Sequence, residues 1–352
     1  MKKIGIIGVG GIANGVHIAE LLNVPECKIT AICDVDSKAI EKTKAKIGDV
    51  LCFTDYKELI ECDEEDAVEV CTPNHLHVEI AEYAVRRGKP INVEKPLGLC
   101  VEECERLGKA IADSKAINMM CFSNRFKPAV RWAKDMIDKG LIGDILTLNV
   151  EYSKSSAFWQ GRRLDWRFVK KYAGTGVLGD LGVHLIDMAQ LLAGDFKSVS
   201  ANTGIVVKKR QLLDSDEWGD VETDDYCNFL AELTDKRTGR AVSSTFSITR
   251  CALGHKNTIR YDIFGTEGSI SFNLNDPDRL TFCTDKKDGF SATLETADVP
   301  KEYYITQEQS FVEALHGKFC DYFPTVDDGI KCQRILDAIE RSAETKSIVY
   351  IK

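Results

Sequence analysis

The sequence predicts an α/β domain followed by an α+β domain, the first a doubly wound parallel sheet and the second a large, mostly antiparallel open sheet. Three observations lead there. Over the first 125 residues, apolar runs that read as buried strands alternate with amphipathic helical runs. After residue 140, strand-like runs follow one another through short turns. A length of 352 residues with 44% hydrophobic content suits two domains rather than one.

Each element follows from its local pattern. "KIGIIGV" precedes the helical run "GIANGVHIAELLN", "KITAICD" precedes "SKAIEKTKAKI", "AVEVCTP" precedes "HLHVEIAEYAVRRG", "INVEK" precedes "VEECERLGKAIADS", and "INMMCFS" ends the series. Continuously apolar strands separated by helices indicate a parallel sheet covered on both faces. The later runs "DILTLNVEYS", "SVSANTGIVV", "DDYCNFLAELTD", "RAVSSTFSITR", "TIRYDIFGTEGSISFNL" and "DRLTFCTD" read as antiparallel strands. "DKRTG" and "GTEG" are hairpin connections, because glycine supplies the backbone angles such turns require. A helical stretch, "DDGIKCQRILDAIERSAETK", closes the chain. The change of pattern near residues 122–126 divides it into domains spanning 1–123 and 124–352.

Composition excludes several classes. A formal charge of −9 argues against a nucleic-acid surface. No run approaches eighteen apolar residues, so no membrane span is expected, and "MKKIGIIGVGG" lacks the cleavage region of a signal peptide. The thirteen cysteines are odd in number and scattered, and Cys33, Cys71 and Cys121 lie inside apolar runs, which reads as reduced thiols in a cytoplasmic protein. No metal site is expected. There is no CxxC, Cys100 and Cys104 lack a partner pair, and His75-x-His77 lacks a third ligand nearby.

The first chemical motif is "GIIGVGGIANG" at 5–15, where Gly8, Gly10 and Ala13 fit G-x-G-x-x-G/A after a strand and at the mouth of a helix. Gly8 permits the tight turn, Gly10 lets a pyrophosphate approach the backbone, and Ala13 allows close helix–strand packing. With Gly11 and Ile12, this segment offers helix N-terminal N–H groups to an anion. Asp34 ends the second strand where a carboxylate accepts the ribose hydroxyls of adenosine and repels a 2′-phosphate, so NAD is favoured over NADP. Thr72, Pro73, Asn74 and His77 of "CTPNHLH" lie at the same carboxyl edge and are candidates for the ribose–nicotinamide path.

"INVEKP" is the next strand to end at that edge, so Glu94 and Lys95 emerge beside the cofactor. A lysine there can direct an N–H toward a substrate oxygen as it becomes an alkoxide. In "GTGVLGDLGVHLIDMAQLLAG", Asp180 and His184 are four residues apart and share one face if the segment is helical. Histidine suits acid–base work near neutrality, and a carboxylate can orient it. "FWQGRRLDWRF" at 158–168 reads either as a pocket wall, with Trp166 against a sugar face and Arg167 on a carboxylate, or as a surface loop pinned by its tryptophans. Arg125 in "SNRF" is a candidate contact with cofactor or substrate.

Over essentially its whole length the chain resembles the glucose–fructose oxidoreductase and inositol dehydrogenase family, Gfo/Idh/MocA. The resemblance is carried by "GIIGVGGIA", "CTPNHLH", "VEKPLG", "SNRFKPAV", "DWRF", "GTGVLGDLGVHLID" and "SFVEALHGK". It implies a dinucleotide-binding Rossmann domain over 1–123, and a substrate-binding and oligomerisation domain over 124–352. It implies that Lys95, Asp180 and His184 form the catalytic group, that Glu94 contacts the nicotinamide ribose, and that NAD exchanges hydride with a secondary alcohol carbon of a sugar, inositol or related polyol. Lys95 and His184 both remain eligible as the primary acid–base group. A homodimer or homotetramer through the second-domain sheet is expected. Two other functions fit the architecture: a glycosidase using bound NAD transiently, and a nonenzymatic NAD- or sugar-binding regulator.

Overall fold

The computed structural model describes residues 1–159, 161–284 and 291–351. The chain forms two compact units, one of residues 1–123 and 305–333, the other of 124–304 and 334–352. The division at 123 coincides with the change of pattern in the sequence. The continuous second segment 124–352 needs correction, because 305–333 returns to the first unit.

The first unit holds six parallel strands: β1 (Lys2–Ile7), β2 (Cys27–Cys33), β3 (Leu51–Phe53), β4 (Ala67–Val70), β5 (Ile91–Val93) and β6 (Asn118–Met120), in the order β3-β2-β1-β4-β5-β6. β1 and β4 are buried along most or all of their length, which is why they read as continuous apolar runs. β3 is three residues long and half open to solvent, too short to show a period. The strand order reverses between β1 and β4, and the crevice at the carboxyl ends of such a pair is where ligands bind in open α/β sheets. The returning segment adds a helix at Gln307–Leu315, and the backbone N–H of Met120 donates to the Pro324 carbonyl at 3.1 Å.

The second unit is built on a nine-stranded sheet, in which β7 (Ile145–Ser153), β8 (Asp195–Gly204), β11 (Tyr226–Thr234), β12 (Ala241–Thr249), β13 (Thr258–Gly265) and β14 (Ser269–Asn273) are the long members. β9 (Lys209–Gln211) and β10 (Trp218–Asp220) form a separate ribbon, while β15 (Arg279–Cys283), β16 (Glu295–Asp298) and β17 (Val349–Tyr350) extend the edges. All its pairings are antiparallel except β12 with β7. Phe229, Phe246, Val150, Tyr261 and Phe272 are successive cross-strand partners and form one buried row. Phe229 and Phe246 stack at 4.2 Å, the offset contact that stabilises neighbouring strands beyond area burial alone. On β11 and β12 burial alternates residue by residue, so the opposite face is open. The helix at Val183–Leu192 packs against β7 and β8.

Candidate active site and cofactor cradle

In the first unit the glycine motif follows β1. Gly8 has φ +88°, and a Cβ there would lie 2.8 Å from the Cys71 carbonyl carbon and from the Thr72 nitrogen, so only glycine lets β1 turn against the end of β4. Gly10 and Gly11 differ: a Cβ on either meets no heavy atom within 4 Å. Among the described residues no packing asks for glycine at these exposed positions, and a bare backbone there suits the approach of a pyrophosphate. Asp34 accepts from the Val9 N–H at 2.8 Å through one oxygen and from the Asp36 N–H at 3.0 Å through the other, which leaves lone pairs on both for ribose hydroxyls. The Thr72 hydroxyl, at the same edge, is buried without a hydrogen-bond partner. An uncovered glycine backbone, an aimed carboxylate and an orphaned hydroxyl fit a dinucleotide.

The helix after the motif opens with a π-turn over Ala13–His17, and the exposed Ile12 precedes it. This helix delivers His17, which the motif reading passed over, into the centre of the unit. His17 is fully buried. Its Nδ1 lies 3.0 Å from Glu69 and 2.9 Å from Glu308, and its Nε2 lies 2.9 Å from Glu94. No spacing rule links positions 17, 69, 94 and 308, so the sequence carried no signal for this cluster.

Glu94 is therefore turned inward. One oxygen faces His17 and the other accepts the Lys95 backbone N–H at 3.0 Å. Burial pushes its carboxyl up, but the His17 hydrogen bond and charge, with Lys95, outweigh this and hold it at about 2. Lys95 is half-buried, and the Lys95–Pro96 peptide is cis. His77, a candidate for the ribose–nicotinamide path, has both ring nitrogens engaged by the chain itself. It is buried, and its ring bridges the Pro96 and Thr72 carbonyls at 2.8 Å each, tying the β4 and β5 loops together, with burial lowering its basicity. Pro73 is half-exposed and Asn74 buried on the same loop.

In the second unit Asp180 and His184 lie in one helical run, a π-turn over Leu178–Gly182 leading into Val183–Leu192. π-turns recur at functional sites because they displace side chains from the regular helical track. Asp224 caps this run, accepting from Gly176 N–H at 2.6 Å and Leu178 N–H at 2.9 Å. Both Asp180 and His184 are half-buried. After burial itself, the Asp180 charge is what pushes the Tyr152 hydroxyl up, which locates that group near Asp180.

Arg125, a candidate contact with cofactor or substrate, also serves the second unit itself. It is buried, and its Nε and Nη2 reach Asp187 at 2.9 and 2.5 Å, so its charge is neutralised within the unit. Arg162, Arg210 and Arg250 surround the Phe168 ring at 4.6, 4.3 and 4.7 Å, and Arg163 donates to the Leu212 and Ser215 carbonyls, which is structural work. Trp166 and Arg167 stay half-buried, the guanidinium 4.2 Å from the indole centroid. Among the described residues no helix is long and apolar enough to cross a membrane.

Comparison with known proteins agrees with this construction. Residues 2–122 match the oxidoreductase family with an NAD-binding Rossmann fold, and residues 130–271 match the GFO/IDH/MocA C-terminal domain. Levoglucosan dehydrogenase of Pseudarthrobacter phenanthrenivorans is 33% identical over 90% of this chain and 88% of its own. Inositol 2-dehydrogenase of Rhizobium meliloti is 26% identical over 99% of each. A solved levoglucosan dehydrogenase in complex with NADH superposes with a TM-score of 0.90 at 29% identity, covering 100% of this chain and 99% of that one. The relatives are named dehydrogenases, which does not favour the glycosidase or regulator readings. The chain therefore belongs to the Gfo/Idh/MocA family and is an NAD-dependent dehydrogenase acting on CH–OH groups.

Proposed function

We propose that the substrate is a ring-closed polyol or anhydro-sugar, oxidised or formed at a secondary alcohol carbon by Lys95, Asp180 and His184. Nicotinamide supplies or takes the hydride at its C4. The observation that carries the assignment is the delivery of Asp180 and His184 by one glycine-rich, carboxylate-capped helical run. In this reading His184 takes the hydroxyl proton, Asp180 holds a neighbouring hydroxyl and orients the histidine, and Lys95 stabilises the developing alkoxide. Lys95 stands at the tip of β5, beside the β1–β4 switch point. Trp166 and Arg167 are the further substrate contacts, the indole offering an apolar face to a ring. Levoglucosan and inositol, named for the relatives, are the first compounds to try.

NAD in preference to NADP follows from the Asp34 carboxylate at the ribose position. A homo-oligomer through the open face of the nine-stranded sheet follows from Leu146, Leu230 and Phe264, which stand 41%, 61% and 44% exposed there. The test is a panel of levoglucosan, myo-inositol, scyllo-inositol, glucose and glucose 6-phosphate, followed by NADH absorbance. Turnover of levoglucosan or an inositol supports the reading. Turnover confined to the phosphorylated sugar, or none in the panel, overturns the substrate class. Lys95→Met is expected to cut turnover by about a hundredfold or more, with NADH affinity changed less than about threefold. Near-normal turnover in the folded variant removes Lys95 from the chemistry.

A further inference from the structure

The buried group around His17 is used by neither the cofactor cradle nor the alcohol chemistry, yet it touches the strand tip that bears Lys95. Carboxylates face both ring nitrogens: Glu69 and Glu308 at Nδ1, Glu94 at Nε2. Glu69 at Nδ1 and Glu94 at Nε2 are both held as anionic acceptors, and a neutral imidazole, with one N–H, cannot donate to both, whereas an imidazolium can. The arrangement is also fully supported from behind. Asn92 donates to Glu69 and to Glu308 at 3.3 Å each, Gln307 donates to Glu308 at 3.0 Å, and the Glu308 N–H points at Glu20 at 3.5 Å. The Cys71 and Cys121 thiols complete the shell.

His17, Glu94 and Cys121, and likewise His17, Glu69 and Cys71, have ligand-type atoms within 4.8 Å of one another. A metal ion is still a poor occupant. Direct contacts of 2.9–3.0 Å between the imidazole and three carboxylates are proton-bridged distances, shorter than the spacing of neighbouring ligands around a zinc ion at about 2.0–2.2 Å from each.

We propose that His17 is a positioning residue: clamped as an imidazolium by Glu69 and Glu308, it fixes the Glu94 carboxylate, whose second oxygen holds the Lys95 backbone N–H and so sets where Lys95 projects. This rests on the reading of Lys95 given above. The chain of contacts is short, running from His17 Nε2 to Glu94 at 2.9 Å and from Glu94 to Lys95 N at 3.0 Å. Every group in it is buried except the lysine it serves. Proton occupancy agrees: burial opposes the His17 cation, but the surrounding thiols and carboxylates outweigh it and raise its pKa well above the ordinary value. Glu308, raised by burial and by the charge of Glu69 to about 8, retains a proton near neutrality. The clamp also makes the returning 305–333 segment a contributor to the lysine loop, through Glu308.

The decisive measurement is amide hydrogen exchange at Lys95 relative to buried Val68, whose N–H donates to the Pro90 carbonyl in the same sheet at 3.0 Å. Global destabilisation speeds both amides alike, whereas loss of the clamp speeds Lys95 selectively. In His17→Gln the ratio is expected to rise about tenfold or more, with NADH affinity by fluorescence titration within about threefold of the parent. With levoglucosan or an inositol as substrate, kcat falls about tenfold or more while KM moves less than about threefold. The double variant His17→Gln/Lys95→Met turns over no more slowly than Lys95→Met alone, because His17 acts through the lysine. An unchanged Lys95 exchange ratio in folded His17→Gln, or multiplicative losses in the double variant, overturns the inference. Full activity in Lys95→Met instead overturns the reading of Lys95, and leaves the exchange result to stand or fall by itself. Should His17→Gln not fold, Glu308→Ala removes one jaw of the clamp and must give the same selective rise, smaller in size; an unchanged ratio there also overturns it.

Discussion

Asp34 and Glu308 both carry carboxylates whose surroundings turn into measurable behaviour. Asp34 is held by the Val9 and Asp36 N–H groups with both oxygens still able to accept. Asp34→Ser, combined with an arginine at exposed Lys38, is expected to remove the 2′-phosphate repulsion and narrow or invert the preference for NAD, read by titrating NADH and NADPH. Tighter NADPH binding by the unmodified chain contradicts the assignment. Glu308 faces His17 and Glu69 and is raised to about 8, chiefly by burial and then by Glu69. A carboxyl raised above its unfolded value binds a proton more tightly in the folded state, so its contribution is present at low pH and is lost as pH rises from about 4.5 to about 8. Glu94, held at about 2, acts oppositely: its contribution is present above about 4.5 and is lost as pH falls toward 2. Glu308→Gln keeps the shape and removes the titration. Its Tm should fall less than that of the parent between pH 5 and 8, and parallel Tm curves would show that Glu308 does not carry the slope.

At the scale of elements, the helix bearing Asp180 and His184 depends on one glycine more than on its propensity. A Cβ at Gly176 would lie 2.0 Å from the Asp224 carbonyl oxygen and 2.6 Å from its nitrogen, in backbone that cannot step aside without moving the cap. Gly176→Ala should therefore cost about 2–4 kcal/mol, more than an ordinary overpacking change, and lower turnover with it. Asp224→Asn keeps only one acceptor oxygen for two N–H groups that now use one carboxylate oxygen each, so it should cost about 1–2 kcal/mol, less than the backbone clash at Gly176. Chemical denaturation of both variants checks the ordering, and a Gly176→Ala protein as stable as Asp224→Asn would refute it. The π-turns at Ala13–His17 and Leu178–Gly182 belong to this scale too. Neither was legible, because an i→i+5 turn leaves the apolar periodicity of the following helix almost untouched.

At the scale of the molecule, the nine-stranded sheet presents two chemically different faces. One carries the Phe229–Phe246–Val150–Tyr261–Phe272 row under helices; the other carries Leu146, Leu230 and Phe264 among polar neighbours such as Asn149, Thr245 and Asp262. If this open face joins copies of the chain, Leu230→Glu, which is harmless to a solvent-facing position, should shift sedimentation velocity toward the monomer. A parent chain that sediments as a monomer at micromolar concentration rules the oligomer out.

The sequence by itself determined the fold class, the family and the NAD-binding first half, and it offered Gly8, Gly10, Asp34, Lys95, Asp180 and His184 as candidates. These all rest on local information: strand and helix periods, turn chemistry, and short motifs such as "GVGGIA" and "VEKP" whose spacing is set within one strand–helix unit. What it could not determine were partnerships between distant segments. Glu94 meets His17, and His77 meets two backbone carbonyls, contacts that no motif containing either residue announced. Arg125 was read as a cofactor or substrate contact, and nothing local showed that Asp187, 62 residues away, pairs with it. The 305–333 segment was assigned to the second domain, but it returns to the first unit and brings Glu308 within 2.9 Å of His17, 291 positions away in the chain. Such pairings depend on how sheet order and crossovers bring chain ends together, and burial then forces each charge to find a partner wherever the fold supplies one.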